Sequence, residues 1–139
     1  MTDKMLEAFA GTKKAGSIAS AALDEVAKIV KPGVTTEQID KLCYDFINDH
    51  KAYSAPLFYR GYPKSCCTSA NHIVCHGIPK DKVLDEGDIV NVDVTALKDG
   101  WHGDTSRMYF VGEVSTKANQ LVRTTYDALI KSIKILKND

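Results

Sequence analysis

Apolar positions Ile18, Ala19, Ala22, Leu23, Val26, Ile29 and Val30 recur at i, i+3 and i+4 spacing, which predicts an amphipathic helix over 16–30. Lys31-Pro32-Gly33 ends it, because proline cannot continue the hydrogen-bond ladder and glycine accepts the left-handed cap. The stretch ahead of Gly16 also reads as helical, with Gly11 as its weak point. Thr35-Thr36-Glu37-Gln38 is a capping box, and Ile39, Leu42, Cys43, Phe46 and Ile47 form the buried stripe of the helix it opens. From Tyr53 to Pro79 the helical period gives way to aromatics, Ser, Thr, Cys and three prolines, which predicts short strands and turns. Ile89–Leu97 and Trp101–Val111 read as two strands around Lys98-Asp99-Gly100, and an Asp-Gly pair between such runs signals a tight hairpin. Beyond Ser115 the helical period returns through Val122, Tyr126, Leu129, Ile133 and Leu136. The order predicts an α+β fold, an antiparallel sheet with helices covering one face.

At 139 residues the chain has the length of one domain. Eighteen Lys and Arg balance eighteen Asp and Glu, which excludes the overall basic excess of a dedicated nucleic-acid binder. No apolar run approaches the roughly 18 residues of a membrane span, and the first residues lack the basic-then-apolar pattern of a secretory signal. The expectation is a cytoplasmic protein with no membrane and no direct nucleic-acid partner. Cys43, Cys66, Cys67 and Cys75 form no C-x-x-C pair, so free thiols are expected, and adjacent Cys66 and Cys67 would point to opposite faces of a strand.

The chemistry concentrates on two aspartates. Asp93 interrupts an apolar strand, where a carboxylate is costly unless it is paired or bound to a cation. A two-residue Asp99-Gly100 loop pairs Lys98 with Trp101, Thr95 with Asp104 and Asp93 with Ser106, so all four of the last residues share one face. Diagonal partners about 7–8 Å apart at the backbone can grip one pair of metal ions, a known device of hydrolases. A loop one residue longer would send the aspartates to opposite faces. The competing reading makes Asp93 a turn cap or an acceptor of backbone N–H bonds and Asp104 a solvated charge. His72, Cys75 and His76 form a local cluster, but a structural zinc site needs four ligands and the matching pair is missing. His76, ahead of Gly77, suits proton donation or substrate hydrogen bonding better. Phe58, Tyr59 and Tyr62 line a pocket or pack a core, and on their own core packing is the ordinary outcome. No phosphate loop, nucleophile elbow or His-Glu-x-x-His motif occurs.

Read together, Gly61-Tyr62-Pro63-Lys64-Ser65, Cys75-His76-Gly77-Ile78-Pro79, the run from Gly87 to Thr95 and the run from Asp99 to Met108 closely resemble the type I methionine aminopeptidases. The resemblance covers nearly the whole chain, but only the N-terminal half of that family's catalytic domain. It implies half of a pita-bread fold, in which two related α+β halves enclose a two-metal site, and removal of initiator methionine from nascent chains. By motif position Asp93 and Asp104 match metal ligands and His76 matches the histidine that contacts the scissile peptide and assists proton transfer. Tyr59, Tyr62 and Cys67 match the methionine pocket. Pro56 stands where many bacterial members carry a cysteine. The implied cofactors are two divalent ions, with manganese, iron(II) or cobalt favoured and zinc an alternative. Nascent polypeptide N-termini are the implied substrate, and the ribosome a candidate partner.

The family's remaining ligands, one histidine and two glutamates, have no counterpart here, since only Glu113 follows Asp104 as a glutamate and no histidine follows His102. Two carboxylates cannot close a two-metal site. Residues 1–139 are therefore expected to be a single truncated domain, inactive alone, with apolar surface exposed where a second half would pack. The alternatives are a non-catalytic half acting as a binding module and a metal-bridged homodimer.

Overall fold

The computed structural model describes residues 2–136. Helix α1 spans Asp3–Ile29, with the Thr2 side chain capping its first turn. It runs unbroken through both glycines. Gly11 admits the Trp101 ring, since a Cβ there would lie 2.2 Å from the indole Cδ1. Helix α2 spans Thr36–Asp49 and opens on the predicted capping box. The Thr35 hydroxyl accepts from the Gln38 N–H at 3.2 Å while Gln38 Oε1 accepts from the Thr35 N–H at 2.8 Å.

A short strand β1, Tyr53–Ser54, leads through a tight turn at Tyr59–Gly61 to β2, Cys67–Ala70. The long strands β3, Ile89–Lys98, and β4, Trp101–Phe110, form the predicted hairpin. Asp99 and Gly100 take positive φ of 51° and 84°, the twist a two-residue loop needs. Strand β3 is central. Strand β4 pairs along one edge of it, while β1 and β2 pair in tandem along the other, all antiparallel.

Alternation along the hairpin decides which side is core. Val90, Val92, Val94 and Ala96 are fully buried and join Leu23, Val26, Ile39 and Ile47 beneath α1 and α2. Gly103, opposite Ala96, lets α1 lie directly on β4, where a Cβ would sit 2.0 Å from the Gly16 nitrogen. Tyr109 fixes the same contact by donating to the Leu23 carbonyl at 2.6 Å, and Arg107 meets Asp24 at 2.7 Å. Gly103→Ala is expected to cost about 1–3 kcal/mol, because backbone cannot yield as a side chain can. Gly16→Ala, with open space at its own Cβ, is expected to stabilise by about 0.5–1 kcal/mol. Urea titration of both variants checks the pair, and equal stability of Gly103→Ala and wild type would refute so close an approach.

The last helix, α3, Thr116–Ile135, starts on a Ser115 cap but buries none of its side chains. Of the predicted stripe, Tyr126, Leu129, Ile133 and Leu136 are more than half exposed, while Val122 is partly buried. Helices α1 and α2 alone therefore cover the sheet. No helix among the described residues is long and apolar enough to cross a membrane.

Candidate functional site

The sheet face turned away from α1 and α2 carries the polar set of the hairpin. The observed register pairs Asp93 with Ser106 and Thr95 with Asp104. It also pairs Asp93 with Cys67 across the other edge. A cleft of about 660 Å³ opens over this face, lined by Tyr59, Tyr62, Cys67, His76, Asp93 and Asp104, with Pro56, Arg60, Thr95 and His102 among the rest of its wall. Asp93, Asp104, His76, Tyr59, Tyr62 and Cys67 thus come together in one place, whereas Phe58, His72 and Cys75 are not part of the lining. The turn-cap reading of Asp93 fails, because the residue lies mid-strand on the cleft lining, whereas Asp104 is exposed, as that reading expected.

The two carboxylates interact. Burial pushes the Asp93 carboxyl up from the usual range, the charge of Asp104 and a hydrogen bond shared with it push the same way, and His76 partly offsets them. Such a pair is under-neutralised, and hard oxygen donors in this state suit divalent cations. This chain offers no closed site, since no group of three or more His, Cys, Asp or Glu side chains among the described residues could hold a metal ion. His72, Cys75 and His76 are all exposed and do not converge on one ion.

His76 owes its position to its neighbour. Its φ is 52°, and Gly77 is locked to β2 by Thr68 N–H donating to its carbonyl at 2.8 Å and by its own N–H donating to Ser69 Oγ at 3.1 Å. A Cβ on Gly77 would lie 2.2 Å from the Thr68 carbonyl oxygen, so only glycine fits. The Tyr62 hydroxyl has the Cys66 and Gly77 carbonyls as acceptors at 3.0 and 3.2 Å, which binds the tyrosine wall to the His76 segment. Burial, then the neighbouring Cys67 sulfur, holds the Tyr62 phenol well above its ordinary range.

Tyr59 and Phe58 correct the expectation of core packing: they are 64% and 73% exposed, and Tyr59 lines the cleft. The residues form a tight turn instead of a buried cluster, with Phe58 itself in the left-handed region at φ 65°. Cys66 and Cys67 do face opposite ways. Cys66 is in the core, whereas Cys67 lines the cleft. Burial raises the Cys67 thiol, as does the charge of Asp93, so it stays neutral and serves as wall and not nucleophile. All four cysteines are free.

Two contributors escape the sequence reading. His102 is on the cleft wall, and the β4 alternation that places Asp104 was sufficient to place it too. Asp40 is buried on α2, and its Oδ1 accepts from Ser65 N–H at 2.8 Å, Cys66 N–H at 3.0 Å and the Ser65 hydroxyl at 2.6 Å. It anchors the segment that joins Tyr62 to Cys67. Its signal is a carboxylate on the buried stripe Thr36, Asp40, Cys43, Ile47.

Comparison with known proteins places this geometry. Residues 10–139 match the family model described as metallopeptidase family M24. A methionine aminopeptidase of Rickettsia prowazekii is 54% identical over 129 residues, covering 93% of this chain and 50% of that protein. One from Escherichia coli K12 is 49% identical over 125 residues, 88% of this chain and 47% of that protein. The solved methionine aminopeptidase of Thermotoga maritima superposes with a TM-score of 0.93 at 38% identity, over 99% of this chain and 54% of that one. The chain spans about half the length of the curated relatives it matches. Its two helices over an antiparallel sheet are thus half of a pita-bread fold. With the paired aspartates in the cleft and a family match over most of its length, the chain belongs to the M24 metallopeptidases.

Proposed function

We propose that this chain is the N-terminal half of a methionine aminopeptidase catalytic domain, acting in the cytoplasm on the N-termini of nascent chains, with the ribosome as a candidate partner. The observation that carries the reading is the register that turns Asp93 and Asp104 into one cleft between Tyr62, Cys67 and His76. Asp93 and Asp104 would hold two divalent ions, manganese, iron(II) or cobalt before zinc, jointly with ligands from outside these residues. Bound there, such ions supply Lewis acidity and activate water. His76 presents its imidazole to the scissile peptide as hydrogen-bond donor and assists proton transfer there. Tyr59, Tyr62 and Cys67 provide the apolar wall for a methionine side chain, and the neutral thiol and phenol keep that wall free of charge.

The test is hydrolysis of Met-Ala-Ser, with Leu-Ala-Ser and N-acetylated Met-Ala-Ser as controls, by the product of the full reading frame that carries this sequence. The expected result is release of free methionine with added manganese(II), loss of that release after chelation, and no attack on the acetylated peptide. Residues 1–139 alone are expected to show no turnover. Failure to release methionine with manganese, iron(II), cobalt or zinc would refute the reading.

A further inference from the structure

The turn that carries Tyr59 also carries a cation that pairs with no acid among the described residues. Of the chain's three arginines, Arg107 pairs with Asp24 at 2.7 Å and Arg123 donates to Asn119 at 2.5 Å. The Arg60 guanidinium has no carboxylate or hydrogen-bond acceptor among the described residues, and its carbon stands 5.5 Å from the Tyr59 ring centroid. A cation–π contact of this kind uses none of the N–H donors, so the guanidinium keeps its fork of donors for another partner. Among the described residues Arg60 is also the only lysine or arginine on the cleft wall.

Its placement is built, not incidental to a loose loop. Phe58 N–H donates to the Tyr62 carbonyl at 2.7 Å, and Tyr62 N–H donates to the Tyr59 carbonyl at 2.9 Å. These bonds close a turn in which Arg60 is itself left-handed, at φ 48° and ψ 34°. A non-glycine residue held there is costly, of order 1 kcal/mol or more. The turn holds it at the mouth of a cleft whose floor is two aspartates.

We propose that Arg60 is a specificity-determining residue that favours acidic side chains in the residues just after the one removed. The inference rests on the aminopeptidase reading above. In that reading the substrate amine lies at the aspartates, and the rest of the peptide extends along the cleft wall on which Arg60 stands. A carboxylate there meets a bidentate donor, whereas a lysine meets a like charge.

The experiment compares kcat/KM for Met-Ala-Asp-Ser and Met-Ala-Lys-Ser, and for the same pair shifted one residue on, in the manganese-loaded product of the full reading frame. Arg60→Asn keeps a residue that tolerates the left-handed turn, and Arg60→Lys keeps the charge. The Asp-to-Lys ratio within each variant cancels any general loss of activity. At one of the two positions the ratio is expected to be about fivefold higher in wild type than in Arg60→Asn. Arg60→Lys should retain part of it, and half-molar salt should shrink it. Equal ratios in wild type and Arg60→Asn at both positions would overturn the inference while leaving the aminopeptidase reading intact. No methionine release from any of the four peptides would overturn both.

Discussion

Asp93→Asn is expected to act in opposite directions on stability and on catalysis. In the full-reading-frame product, activity should fall about a thousandfold, because an amide is a poor substitute for a charged ligand and several kcal/mol of transition-state stabilisation goes with the metal. In the metal-free protein the same change should raise the melting temperature at neutral pH. The folded state holds the Asp93 carboxyl above its ordinary range through burial and the facing charge of Asp104. An acid whose folded pKa is raised binds its proton more tightly when folded, so ionised Asp93 opposes folding above the unfolded-state pKa. That opposition fades as pH falls through the raised value, and below the ordinary carboxylate range both states are protonated. The stabilisation by asparagine should therefore be present at pH 7 and absent near pH 3. Melting curves at both values, beside a manganese titration, measure the two arms. A variant that is less stable than wild type at pH 7 without metal would mean that Asp93 has a structural partner and not an under-neutralised neighbour.

How much of this site was legible in advance depends on the range of the interaction involved. The hairpin register followed from one local rule: Asp99-Gly100 supplies the two positive φ angles, and everything from Lys98–Trp101 to Asp93–Ser106 is then counted off in twos. Capping at Thr35 was equally local. The cleft wall was not. Tyr59 and Tyr62 carry no periodicity, and as bare residue types they read as core. What puts them beside Asp93 is the docking of Gly77 on β2 and of the Tyr62 hydroxyl on Gly77, loop contacts that span 8 and 15 residues and follow no period. Helix α3 shows the opposite limit. Its period was plain, yet the stripe finds no partner among the described residues, because periodicity gives a face and not the surface that covers it.

Asp40→Ala is expected to destabilise the fold by about 3 kcal/mol, measured by urea or thermal unfolding, because it leaves two backbone N–H groups and a hydroxyl buried without their acceptor. Asp40→Asn should cost about 1 kcal/mol. The reason for the difference is geometric: all three bonds converge on Oδ1, and an asparagine side-chain oxygen can occupy that place, losing only the charge. The consequence reaches the cleft by a short path. Cys66 donates its N–H to Asp40 and offers its carbonyl to the Tyr62 hydroxyl, so a slack Cys66 frees one wall of the pocket and shifts Cys67, the partner of Asp93 across the sheet. In the full-reading-frame product Asp40→Ala should therefore raise KM for methionyl peptides more than it lowers kcat, while Asp40→Asn stays near wild type in both. Equal destabilisation by alanine and asparagine would show that the charge itself, and not the placement of one oxygen, holds this segment on α2.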